Sequence, residues 1–79
     1  VKVWIKLLSA YREYLPAEAE GSSYSLEVTA GTRVEALQAR LPVPADEGQV
    51  VLINGRTPLP GQVLEEGDTV AIFPAMAGG

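Results

Sequence analysis

The sequence has no cysteine and no histidine. Without cysteine there is no disulfide, no thiol nucleophile and no thiolate ligand. Without histidine the commonest general base and the usual zinc ligand are missing as well. Cations are scarce, with six Lys and Arg against ten Asp and Glu and a net charge of −4. Phosphate binding needs a basic face, so this balance argues against nucleic acid as the main partner. No apolar run is long enough to span a membrane, and no charged-then-apolar leader opens the chain. The expected setting is cytoplasmic, with no membrane partner.

What remains is 79 residues, enough for one domain and one core. A chain of this size buries only about 60% of its unfolded surface, so its stability must come from apolar packing. "VKVWIKLL" alternates as a strand, with Val3, Ile5 and Leu7 on one face and Trp4 and Leu8 on the other. "AYREYLPAEAEGSS" reads as loop, and "SYSLEV" alternates again. "TRVEALQARLP" is a short helix over about Arg33 to Leu41. Thr32 and Glu35 have capping-box spacing, and Val34, Leu37 and Leu41 form its apolar stripe. "QVVLINGR" gives a strand running into Asn54-Gly55, the dipeptide of a type I′ hairpin turn. The prolines of "RTPLPG" allow only an edge strand or irregular backbone. "TVAIF" is the last strand. The order β-β-α-β-(β)-β describes an α+β domain, one helix on one face of a mixed sheet.

Catalytic constellations are missing. The serines have no histidine partner and no nucleophile elbow. The acidic turn Glu65, Glu66 and Asp68 reads as solvated, as does "AEAE" at Ala17–Glu20, and no metal site is expected. No glycine-rich phosphate loop precedes a helix. The distinctive group is the end of the chain, "AIFPAMAGG". An α-carboxyl at Gly79, with a pKa of about 3.3–3.7, is ionised at neutral pH and a poor electrophile. It would need activation by another protein, for example as an acyl-adenylate made with ATP. Gly78 and Gly79 lack Cβ atoms and suit passage through a narrow channel. The expected division is a folded domain over residues 1–73 and a flexible tail over 74–79. Pro74 would end the strand ladder, and six extended residues would reach roughly 20 Å.

"VVLINGR…LEEGDTVAIFPAMAGG" resembles the ubiquitin-like β-grasp sulfur carriers of the MoaD/ThiS type, most closely the small subunits of molybdopterin synthase. "LLSAYREYL" is similar to that family's opening strand and the short Arg-Glu segment after it. Ala75 departs from the pattern, where a second proline is usual, as does the proline-rich stretch Thr57–Gly61. The resemblance implies a β-grasp fold with a mixed sheet of four to five strands and one main helix. It implies that Gly79 is adenylated by a ubiquitin-activating-type enzyme (MoeB/ThiF-like). A sulfur donor such as a cysteine desulfurase or a rhodanese then supplies the thiocarboxylate sulfur. The acceptor complex would be the molybdopterin synthase large subunit (MoaE-like), with the chain a sulfur-donating subunit and not a catalyst alone. No tightly bound cofactor is implied; ATP is used by the activating enzyme. The thiamine-thiazole carriers and those of tRNA thiolation or sulfur amino acids share fold and tail. A plain interaction module is the alternative from another class.

The helix is expected to pack on Val3, Ile5, Leu26, Val28, Leu52, Val70 and Ile72, with Leu37 its most buried residue. If the first and last strands are neighbours, Trp4, Leu8 and Phe73 share the opposite face as a docking surface. Arg12, by resemblance, stands at its rim, and Pro74 leads into the tail. Tyr11 or Leu59 folding over that face is the competing expectation.

Overall fold

The computed structural model describes residues 1–44 and 48–75. Gly78 and Gly79, and with them most of the expected tail, lie outside the described residues. Strands β1 (Lys2–Leu7), β2 (Ser23–Glu27), β3 (Gln49–Ile53) and β4 (Thr69–Pro74) and helix α1 (Val34–Arg40) are joined by a 3₁₀ helix, Ser9–Tyr14, between β1 and β2. The strands form one sheet in the order β2-β1-β4-β3. β1 runs parallel to β4, and each has an antiparallel outer neighbour. This is the expected β-grasp arrangement, with four strands among the described residues.

The alternation of β1 decides which face is buried: Val3, Ile5 and Leu7 are fully enclosed, while Lys2, Trp4 and Lys6 are exposed. Val70 and Ile72 of β4 join them, as do Val34, Leu37 and Leu41 from α1. A seven-residue helix is too short to hold itself, and its start is secured by the chain rather than by its own side chains. Val34 N donates to Gln62 O at 2.9 Å, and Leu64 N donates to Thr32 O at 2.9 Å. That crossing places Leu64 under the helix, only 2% exposed.

Three expectations need correction. The capping box does not form: Thr32 Oγ1 donates to Thr29 O at 2.7 Å, and Glu35 Oε2 accepts from Gly61 N at 3.3 Å. The segment 62–64 already serves the helix N-terminus, so Glu35 ties down the 57–61 loop instead. The "AYREY" stretch is a 3₁₀ helix, entered through Ser9 at φ +55°, and it delivers Tyr11 into the core. Finally, β3 is one residue out of the expected register. Ile53 is buried and Val51 packs on the core, whereas Leu52 faces the other side. A continuous apolar strand carries no alternation to reveal its buried face.

The Asn54-Gly55 turn forms as expected. Both residues have positive φ (+52° and +82°), and Ile53 and Arg56 exchange hydrogen bonds across it at 2.7 and 3.1 Å. Among the described residues, the returning segment 56–61 makes that single bridge.

A candidate docking face beside the base of the tail

The register places the outer-face residues directly. Trp4 stands opposite Ser25 and Thr69, and Lys6 opposite Ser23 and Ala71. Across β4, Ala71 faces Leu52 and Phe73 faces Val50. Leu8 continues β1 by one residue, its N–H donating to Ile72 O at 3.0 Å, which brings it beside Phe73. Leu8, Phe73, Val50, Ala71 and Leu52 therefore form an apolar patch on the face away from α1, each half-buried. The expected trio is only partly assembled. Leu8 and Phe73 are neighbours, but Trp4 lies four residues back along β1, roughly 13 Å away, with exposed Lys6 between. Trp4 is 42% exposed and carries Lys2 Nζ 5.2 Å from its ring centre. The patch instead gains Val50 and Leu52, which the misread register of β3 had hidden.

Neither expected cover lies over the patch. Tyr11 belongs to the core cluster, and Leu59 is 73% exposed in the loop beyond the Asn54-Gly55 turn. Arg12 is exposed on the 3₁₀ helix, which packs against β4.

The tail leaves from the same end of the sheet. The expected boundary at residue 74 falls inside the ladder: Pro74 is the last residue of β4, opposite Gln49. The ladder continues one step further, with Ala75 N donating to Gly48 O at 2.9 Å. Gly48 has φ +81°, and a Cβ there would sit 3.3 Å from Ala75 Cβ. Backbone conformation and close approach both select glycine at that point. Gln49, which the sequence did not single out, braces the tail base from the core side. Its Oε1 accepts from Gln38 Nε2 at 2.8 Å; its Nε2 donates to Pro44 O at 2.8 Å and to Tyr11 Oη at 3.4 Å.

The opposite end of the sheet is a structural knot. Asp68 accepts from Asn54 Nδ2 at 2.9 Å and from Glu65 N at 2.8 Å, while Asn54 Oδ1 accepts from Thr69 N at 2.9 Å. Glu66 accepts from Lys2 N at 2.9 Å. The acidic turn thus spends two of its carboxylates on backbone donors. Among the described residues no three His, Cys, Asp or Glu side chains are grouped to hold a metal. No helix among them is long and apolar enough to cross a membrane.

This sheet, with one helix on one face and a strand running out at the edge of an apolar patch, is a ubiquitin-like β-grasp domain. The comparison with solved structures agrees: the crystal structure of SAMP1 from Haloferax volcanii matches with TM-score 0.72 and 22% identity, over 100% of this chain and 100% of that one. At that identity the likeness speaks for the fold. A comparison with curated protein sequences gave no match. The ThiS family matches residues 5–79. The chain belongs to that family, the ThiS/MoaD-like ubiquitin-like sulfur carriers, which work with ubiquitin-activating-type enzymes.

Proposed function

We propose that this chain carries sulfur on Gly79 as the small subunit of a molybdopterin synthase. In this reading the Gly79 carboxylate attacks the α-phosphorus of ATP on an activating enzyme, giving acyl-adenylate and pyrophosphate. Hydrosulfide sulfur from the donor enzyme then attacks the acyl carbon and displaces AMP. Where the donor sulfur is a persulfide, the same attack gives an acyl disulfide, and a second thiol must cleave its S–S bond, leaving with the donor sulfur as a disulfide, to free the thiocarboxylate. The resulting thiocarboxylate delivers sulfur inside the acceptor complex. The observation that carries the reading is the placement of the apolar patch against the emergence of the tail. An enzyme covering Leu8, Phe73 and Val50 would hold the strand that feeds Gly79 into its active site. Because Ala75 is anchored to Gly48, only residues 76–79 are left to bridge the gap, at most roughly 14 Å. The enzyme's reacting site must therefore lie close to the docked sheet.

The molybdopterin branch is favoured over the thiazole branch by Ile72-Phe73-Pro74 before the tail, where thiazole carriers more typically have a valine-rich strand. Incubation with ATP, an activating enzyme and a sulfur source should exchange one oxygen for sulfur in the intact mass. ATP–pyrophosphate exchange should accompany it. A chain lacking Gly78 and Gly79 that still supports exchange and still gains sulfur would overturn the carrier mechanism. A thiocarboxylated chain that fails to transfer sulfur with a molybdopterin synthase large subunit would leave the carrier intact and remove the branch.

A further inference from the structure

We propose that the open edge of β2 is a second binding site, which takes an extended basic peptide segment as a fifth strand. The ladder arithmetic identifies the free groups. Val28 N donates to Val1 O and Leu7 N donates to Ser22 O, at 2.8 and 3.1 Å. Alternation from those two bonds makes Val3–Leu26 and Ile5–Tyr24 the hydrogen-bonded pairs of β1 and β2. The N–H and C=O groups of Ser23, Ser25 and Glu27 must then point away from the sheet. Those of Ser23 are used by Glu20, in bonds of 2.9 and 3.1 Å. Ser25 and Glu27 keep two donors and two acceptors at the spacing that an added strand engages.

The chemistry around that edge sets the occupant. A notch of about 300 Å³ at its end is lined by Trp4, Glu18, Glu20, Ser23, Tyr24 and Ser25. Glu18 and Glu20 bring two carboxylates to it, and Glu27 stands at the far end of the strand. The Glu18 field is felt at β2 itself: after burial, that carboxylate is the second cause raising the Tyr24 hydroxyl pKa. The exposed Trp4 indole attracts cations, as Lys2 on its face already shows. The positive charges nearby are Lys2 and Lys6 of β1 and the Val1 ammonium, which lies 3.9 Å from Glu27 Oε2; β2 carries none, and the attraction falls to Glu18 and Glu20 at the notch. An incoming Lys or Arg therefore meets negative charge and an aromatic surface while its backbone pairs with Ser25 and Glu27. The β3 edge does not offer the same opening. There the outward groups of Ile53 are occupied by Arg56, and it is the carboxylates and the indole beside Ser25 that single out the β2 edge.

The test uses the isotope-labelled full chain and a blocked heptapeptide of alternating valine and lysine. The Ser25 and Glu27 amide resonances should shift and their hydrogen exchange should slow. A peptide N-methylated at alternate amides, which cannot complete the ladder, should lose binding to the unaltered chain. Ser25→Pro removes one outward N–H without touching the β1 ladder and should weaken binding about tenfold. Glu18→Gln with Glu20→Gln should weaken it to a similar extent, with most of the salt dependence lost. The proposal is overturned if shifts concentrate on Phe73 and Val50 or on the β3 edge, if N-methylation has no effect, or if a valine–glutamate peptide binds equally well. ATP–pyrophosphate exchange reports the carrier reading separately, so either can fail alone.

Discussion

Truncating Ile53 and Leu52 in turn tests the sheet register, because the two neighbours point to opposite faces. Ile53 is 4% exposed within the core cluster, so Ile53→Ala leaves a cavity among residues that cannot all close in. Losses of that kind run to about 2–5 kcal/mol. A domain of this length has a total stability of roughly 4–12 kcal/mol, so the change removes a large part of it. Leu52 is half-buried on the outer face, and its truncation surrenders only part of a transfer energy of about 1.5–3 kcal/mol. No enclosed cavity forms there, and a loss near 1 kcal/mol is expected. With a urea m-value of about 1–2 kcal/mol/M, the midpoint should fall by roughly 2 M for Ile53→Ala and well under 1 M for Leu52→Ala. Far-UV circular dichroism follows the transition and does not depend on the exposed Trp4. In binding the order should reverse, Leu52→Ala weakening capture by the activating enzyme more than a folded Ile53→Val does. If Leu52→Ala proves the more destabilising of the two, the assigned faces of β3 are wrong, and Leu52 leaves the docking patch.

Phe73→Asp should abolish binding to the activating enzyme by calorimetry while the domain still melts cooperatively, whereas Trp4→Ala, remote from the patch, should reduce it little. Gly48→Val imposes positive φ on a β-branched residue and crowds Ala75; a cost of about 1–3 kcal/mol is expected, with faster hydrogen exchange at the Ala75 amide. The Glu35 carboxyl is held below its ordinary pKa of 4.5, first by its own backbone N–H and then by that of Gly61. A depressed folded-state pKa adds stability above the unfolded value that disappears as pH falls through the folded one. Glu35→Gln should therefore flatten the acid side of the stability curve, and an unchanged acid limb in denaturant melts would refute that role.

Much of this architecture was legible where local pattern and global fold agree. β1 announces its buried face by strict alternation, and Asn54-Gly55 forms the turn that its positive-φ preference demands. The helix was placed to within a residue by Val34, Leu37 and Leu41. The failures share a cause: they depend on segments distant in sequence. Nothing local distinguishes Val51 and Ile53 from Val50 and Leu52, since only pairing with β4 decides the face. Thr32 and Glu35 have the right spacing for a capping box, but residues 62–64 supply the bonds at the helix start instead. Tyr11 and Leu64 look like loop residues until the 3₁₀ helix and the crossing segment fold them inward. Of the apolar patch, Leu8 and Phe73 are legible because both lie at the ends of alternating runs. Val50 and Leu52 were missed with the β3 register, and Gln49 because its hydrogen bonds reach three separate segments.

The parallel pairing of β1 with β4 explains why the apolar patch and the base of the tail share one end of the sheet. In a parallel pair both strands run toward the same end, and the Leu7–Ile72 register sets Leu8, the residue after β1, beside Phe73, which precedes the tail. Antiparallel β3 contributes its beginning at the same level, which supplies Val50 to the patch and Gly48 to the last rung. The turn network of Asn54, Glu65, Glu66 and Asp68 is consigned by the same geometry to the far end, where it fixes the strand starts. Substitutions there should act on stability and leave docking geometry largely alone. Those at Leu8 and Phe73 should do the reverse, and those at Gly48 should affect both, since a partner covering the patch grips the strand whose next residues it would have to reach.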